Sequence, residues 1–187
     1  DGKEYLELFP DVTLSGKNIR TVASGNYIRN SDIFEIVGHE GSYRSAGVGG
    51  GITGMGGDIL IIDDPLKDRA EADSPTIREK VWDWYTSTLY TRLAPGGGIL
   101  LIQTRWHMDD LAGRLLEAER MGEGDAWRCV NFPAIATDDE PHRRMGEALH
   151  PERYPLEQLI TIKTALGSRD WEALYQQRPV PDGGAVF

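Results

Sequence analysis

The sequence predicts an α/β fold of three layers around a mostly parallel sheet. Two aliphatic runs, Ile59-Leu60-Ile61-Ile62 and Ile99-Leu100-Leu101-Ile102, lack the polar alternation of a half-exposed strand, and such runs mark strands covered on both faces. A helical pattern separates them, and parallel strands need such a crossover.

Before the first run, residues 33–37 and Tyr43-Arg44-Ser45-Ala46 bracket the turn-forming 38–42 and read as two short strands. A glycine cluster from Gly47 to Gly57 follows and reads as a loop. The first aliphatic run then closes on Asp63-Asp64-Pro65. Ser74 is an N-cap candidate, Pro75 suits a first helical turn, and Ile77, Val81, Trp84, Tyr85 and Leu89 share one helical face. This helix is expected to end before Pro95-Gly96-Gly97-Gly98. After the second run comes Gln103-Thr104-Arg105-Trp106, and Asp109 or Asp110 caps a helix reaching about Met121. Residues 127–132 read as a further strand stopped by Pro133, residues 136–154 as loop, and 156–166 and 168–177 as two helices.

A chain of 187 residues with 40% hydrophobic composition supports one domain with a core. No apolar run approaches the roughly 20 residues that span a bilayer. The amino end, Asp1-Gly2-Lys3-Glu4-Tyr5, has neither an initiating Met nor a secretory pattern, and reads as a chain entered partway along. Cys129 is the one cysteine, so it has no internal disulfide partner; it fits a reducing compartment and reads as a small buried hydrophobe. A net charge of −10 argues against a surface that is basic throughout, so any nucleic-acid contact must be local. Basic residues gather at Arg20, Arg29 and Arg44, and at Arg143 and Arg144, as scattered arginines on ordinary surfaces do.

Ligands of open parallel sheets collect at the carboxyl ends of the strands. There the sequence places Asp63-Asp64 on one strand and Thr104-Arg105 on the other. An aliphatic strand ending in two acids matches the Walker B motif of ATPases with the P-loop fold. The first acid, Asp63, would hold Mg²⁺, a hard cation that keeps much of its water. Asp64 would orient and deprotonate the attacking water. Neighbouring strand residues point to opposite sides, so these separate roles require a break in the strand, which Pro65 encourages. Thr104 and Arg105 stand where a hydroxyl can sense the γ-phosphate of ATP and a guanidinium can grip phosphate oxygens. Trp106 and His107 read as packing and capping neighbours.

The succession Leu8-Phe9-Pro10, 47–54, Leu60 to Pro65, Asp83-Trp84-Tyr85 with Thr91-Arg92-Leu93, Thr104-Arg105-Trp106-His107 and Asp110 to Leu115 resembles the terminase large subunits of tailed phages and prophages. Trp171 to Pro179 is similar to the segment where that family's ATPase domain passes into its nuclease domain. The resemblance implies a P-loop NTPase-like sheet, incomplete on its N-terminal side, in an ATP- and Mg²⁺-dependent motor that packages double-stranded DNA. The implied partners are a portal protein, a small terminase subunit and further copies in a ring, in the cytoplasm of a bacterial host and without a membrane. Residues 1–178 would be a partial ATPase domain, and 179–187 a linker toward a ribonuclease-H-like nuclease domain. Asp63 and Asp64 match the Walker B acids, Thr104 and Arg105 the coupling motif, and Gly54 and Gly56 a glycine loop expected beside the nucleotide.

Three departures stand out. Met55 occupies a place where the family often carries Arg, and the acid pair is Asp-Asp where many motors have Asp-Glu. A phosphate loop needs Gly, four residues, Gly-Lys, then Ser or Thr. The sequence has none: around Gly16-Lys17-Asn18, Asp11 takes the leading Gly position and Asn18 replaces the hydroxyl, so that stretch reads as a turn. In the family the phosphate loop precedes this region, so the chain alone is expected to be inactive. Two alternatives are a metal-dependent nuclease using Asp63, Asp64 and Asp109 or Asp110, and a non-catalytic remnant of a decayed prophage terminase. The four His residues share no zinc-ligand spacing with Cys129, and no nucleophile elbow is present.

Overall fold

A computed structural model of the chain describes residues 3–10, 32–35, 40–52 and 54–181. The chain divides into two compact units, residues 1–52 and 53–187. Gly16-Lys17-Asn18, Arg20 and Arg29, and residues 36–39 and 182–187, lie outside the described residues.

In the first unit, helix α1 spans Lys3–Leu8, and strands β1 (Ile33–Glu35) and β2 (Ser42–Arg44) pair antiparallel, Ile33 opposite Arg44. This is the hairpin expected from two short runs around a turn. Phe34 stacks on Tyr43 with ring centroids 4.7 Å apart, a cross-strand contact that reinforces so short a ladder.

The second unit is a mixed α/β arrangement around a small parallel sheet. β3 (Gly57–Asp63) pairs with β4 (Leu93–Ile102), Ile61 opposite Leu100 and Asp63 opposite Ile102. Helices α2 (Arg69–Asp73) and α3 (Pro75–Trp84) form the crossover, and α3 continues into a π-helical turn, Tyr85–Leu89. Ser74 caps α3 and Pro75 opens it, while Val81, Tyr85 and Leu89 are buried, as their spacing requires. Helix α4 spans Leu111–Met121, capped by Asp110 and closed by Gly122 in the left-handed conformation. Helix α5 spans Leu156–Asp170, kinks at Gly167, and passes into the π-helical turn Trp171–Tyr175. Trp171, Leu159 and Ala148 form a small core there. Arg69 fastens the region to α2: it donates to the Trp106 carbonyl, pairs with Asp170 and lies over the Trp106 ring.

The helical stretch ends at Arg92, before Pro95 as expected, and Pro95 to Gly98 lie inside β4, where a register shift opposite Gly57–Ile59 absorbs the extra residues. Gly97 is obligatory at that bulge, because a Cβ would meet the Asp58 carbonyl oxygen at 2.6 Å. Three expectations need correction, and the first is the strand at residues 127–132, which pair with no strand among the described residues. Cys129 on that segment is exposed.

The third correction concerns the sheet. Ile62 is buried, but Ile59 and Ile61 on β3 and Leu100 and Ile102 on β4 are each about half exposed or more. The aliphatic runs therefore present one buried face and one bare apolar face, because an uninterrupted apolar run specifies burial only where a second layer is present to supply it. Among the described residues no helix is long and apolar enough to cross a membrane.

Candidate functional site

The two strand tips meet. Because β3 and β4 are parallel neighbours in register to their last residues, Asp63 and Asp64 emerge beside Gln103 and Thr104. Asp63 is still strand, and the two-residue alternation sets its side chain on the bare face with Ile59 and Ile61. The strand breaks one residue later. Asp64 has φ 40°, a left-handed backbone that Asp tolerates better than most residues. Its N–H donates to the Ile102 carbonyl at 2.9 Å, and its Oδ1 accepts the Thr104 N–H at 2.9 Å. The carboxylate thus adds one side-chain rung to the parallel ladder and locks the two tips together. Consecutive acids leave the strand in different directions, which separate roles would require.

Thr104 is half-buried, and its hydroxyl makes no hydrogen bond within the described residues. The Arg105 guanidinium is not turned to the acids. Its Nε donates to both carboxylate oxygens of Asp110, at 3.0 and 2.9 Å, and Asp110 is 1% exposed. Asp110 Oδ1 also accepts the Gly113 N–H at 2.8 Å and so caps α4. The guanidinium is thus held by a buried acid through Nε, and its terminal nitrogens make no hydrogen bond within the described residues. Gly113 is required at this junction, since a Cβ would meet the Met108 carbonyl oxygen at 1.8 Å.

Gly54 and Gly56 are not brought to the acids. Both precede β3, at the opposite end of a seven-residue strand, which at ~3.3 Å per residue puts them about 20 Å from Asp63. Gly54 adopts φ 81°, a turn conformation that favours glycine, and at Gly56 a Cβ would come within 3.3 Å of the Arg92 carbonyl oxygen. The apolar hollow of about 510 Å³ in this unit runs along β4 and residues 127–132, touching Gln103 and Arg105 but not the acids.

Asp109 serves a separate network. It accepts from Arg114 Nε at 2.8 Å and from Arg78 Nε at 3.0 Å, and Arg78 is largely buried and also donates to the Ala72 carbonyl. These bonds, Arg114 foremost and then Arg78, hold its carboxyl below the usual carboxylate range. A depressed folded value gives stability that is complete above the unfolded value of about 3.9 and is lost as pH falls through the folded one. Urea midpoints should therefore fall below about pH 4, and Asp109→Asn should flatten that fall while lowering the midpoint at pH 6; an unchanged acid limb would refute the assignment. His107 Nδ1 accepts the Asp109 N–H, the capping role expected of it.

Sequence reasoning did not single out Gln177, whose Oε1 accepts the Arg105 N–H at 3.1 Å. Its only trace in the sequence is the Gln-Gln-Arg-Pro ending of the last helical segment.

Neither the curated proteins nor the solved structures include a significant match to the chain. The family model described as terminase large subunit, T4likevirus-type, N-terminal, matches residues 5–187, nearly the whole length, and the chain belongs to that family.

Proposed function

We propose that this chain carries the Walker B and coupling half of the ATPase site that drives phage DNA packaging. Its family supports the packaging role. The observation that carries the catalytic reading is the bond from the Thr104 N–H to the Asp64 carboxylate, which sets an acid and a hydroxyl side by side at the carboxyl ends of adjacent parallel strands.

The donor set fits Mg²⁺. Asp63 offers an exposed carboxylate with no hydrogen bond or ion pair within the described residues, and Mg²⁺ takes one or two carboxylates plus water and phosphate oxygens. Bound there, the ion neutralises charge on the terminal phosphates of ATP. Asp64 keeps one oxygen on Thr104 and has the other to accept a proton from the attacking water. Thr104 directs its hydroxyl to that water or to the γ-phosphate. Arg105 acts mainly by fixing the tip of β4 to α4 through Asp110.

The phosphate-binding loop comes from outside these 187 residues, and β3 and β4 belong to a larger three-layer P-loop sheet whose remaining layer covers Ile59 and Ile61. Residues 1–178 are then part of the ATPase domain and 179–187 lead to the nuclease. Double-stranded DNA, a portal protein, a small terminase subunit and a ring of further copies in the host cytoplasm are the partners of the complete motor. The nuclease alternative has weaker support, because Asp109 and Asp110 are spent on Arg78, Arg114 and Arg105.

Phosphate release from Mg-ATP tests the reading. The isolated chain should release none above background, and the complete large subunit should. Asp63→Asn in the latter should raise the Mg²⁺ concentration needed for half-maximal rate. Turnover by the isolated chain that disappears in Asp64→Asn would overturn the need for an external loop, and an Asp63→Asn subunit with unchanged Mg²⁺ dependence would overturn the metal assignment.

A further inference from the structure

Thr104 and Arg105 are consecutive, and side chains from opposite parts of the unit accept their two backbone N–H groups. Asp64, forty residues back, takes the Thr104 N–H; Gln177, seventy-two residues on, takes the Arg105 N–H. At the end of a ladder these amides have no strand partner, and half-buried donors need an acceptor.

Gln177 is itself tightly determined. Its Nε2 donates to the Leu174 carbonyl at 2.7 Å, and its backbone has φ 55°, a left-handed conformation that a non-glycine residue keeps only when its surroundings impose it. Its neighbours impose it. The Gln176 amide accepts from the Ile135 N–H at 3.0 Å and donates to the Ile135 carbonyl at 2.9 Å. The Arg178 N–H donates to the Glu172 carbonyl at 2.7 Å, and its guanidinium pairs with the Glu172 carboxylate, 6% exposed. Three successive side chains thus bolt residues 176–178 to the body of the unit, and the middle one reaches the tip of β4.

We infer that Gln177 is a positioning residue that couples the state of the Asp64 carboxylate to the segment Gln176–Arg178. A single residue's φ and ψ separate the Thr104 and Arg105 amides, so a change that draws Asp64 off the first reorients the second, and with it the acceptor held on Gln177. The same link runs backward: displacing residues 176–178 loosens the rung that holds Asp64. The functional meaning rests on the reading of Asp64 as the water-activating acid, but the coupling itself does not.

Amide hydrogen exchange on the 187-residue chain, resolved by residue and without nucleotide, tests it. Gln177→Leu removes the acceptor. Exchange should rise about tenfold or more at Thr104 as well as at Arg105, relative to the mean of α3 and α4, and Asp64→Ala should likewise raise exchange at Arg105 as well as at Thr104. Gln177→Glu keeps an acceptor for Arg105 and should leave Thr104 near its original rate, and it stands in if Gln177→Leu fails to fold. A rise confined to Arg105, or one matched by α3 and α4, would overturn the inference; so would a Thr104 amide in Gln177→Glu as unprotected as in Asp64→Ala. Because no nucleotide is used, that failure would leave the ATPase reading standing, and a failed hydrolysis assay would leave the coupling standing.

Discussion

Replacing Asp110 by Ala should lower the unfolding free energy by about 3–5 kcal/mol, the usual consequence of breaking a buried ion pair from one side. Among the described residues Asp110 is one of the most completely buried large side chains; both its oxygens accept from Arg105 Nε, and Oδ1 also accepts the Gly113 N–H that caps the helix. Removal leaves the Arg105 guanidinium, 20% exposed, without its acceptor, and leaves the first turn of α4 with an orphaned N–H. The loss is a large part of the 5–15 kcal/mol that stabilises an ordinary domain. Asp110→Asn separates the two contributions, because Asn caps helices as well as Asp does but cannot balance the guanidinium charge. Urea unfolding should rank wild type above Asp110→Asn and Asp110→Asn above Asp110→Ala. Equal midpoints for the two variants would assign the whole effect to the ion pair and none to the cap, and a loss under about 1 kcal/mol in Asp110→Ala would mean that the buried pair does not form in solution.

The parts of this structure that were legible in the sequence are those set by local rules. Ser74-Pro75 and Asp110 mark their helix starts, the 3.6-residue spacing of Val81, Tyr85 and Leu89 marks the buried face, and two aliphatic runs joined by a helix mark a parallel pair. What was not legible depends on distant partners. Alternation can say that Ile59 and Ile61 lie on one face, but not whether a layer covers it. Residues 127–132 have strand-like composition, yet a strand exists only when its amides and carbonyls find a ladder, and among the described residues these form none.

The site divides along the same line. That Asp63 and Asp64 end a strand beside Thr104 follows from the parallel topology. The left-handed turn at Asp64 has no sequence signature beyond the proline after it, though it bears on the residue type: at φ 40°, Asp or Asn is tolerated where a longer acid is strained by roughly 1 kcal/mol. The commitment of Arg105 to Asp110 was hidden because a strand-end Arg reads the same whether it points at phosphate or at a neighbouring helix cap.

The second large effect falls on the chemistry. Asp64→Asn in the complete large subunit should reduce kcat for ATP hydrolysis by about 10²–10⁴-fold, the range for loss of a positioned general base. The substitution is unusually informative at this position. The Asn side-chain oxygen can still accept the Thr104 N–H, and Asn tolerates the left-handed backbone, so the ladder rung and the strand tips should survive. What changes is the second oxygen, replaced by an amide nitrogen that cannot take a proton. Wild-type thermal stability with a collapsed kcat and a KM for ATP changed less than threefold would therefore separate proton acceptance from architecture, since a loss confined to the transition state leaves ground-state binding alone. Asp64→Ala removes both functions, and should lose activity and stability together. If Asp64→Asn keeps its rate within threefold, the acid is a structural rung and nothing more, and the attacking water must be activated by another group.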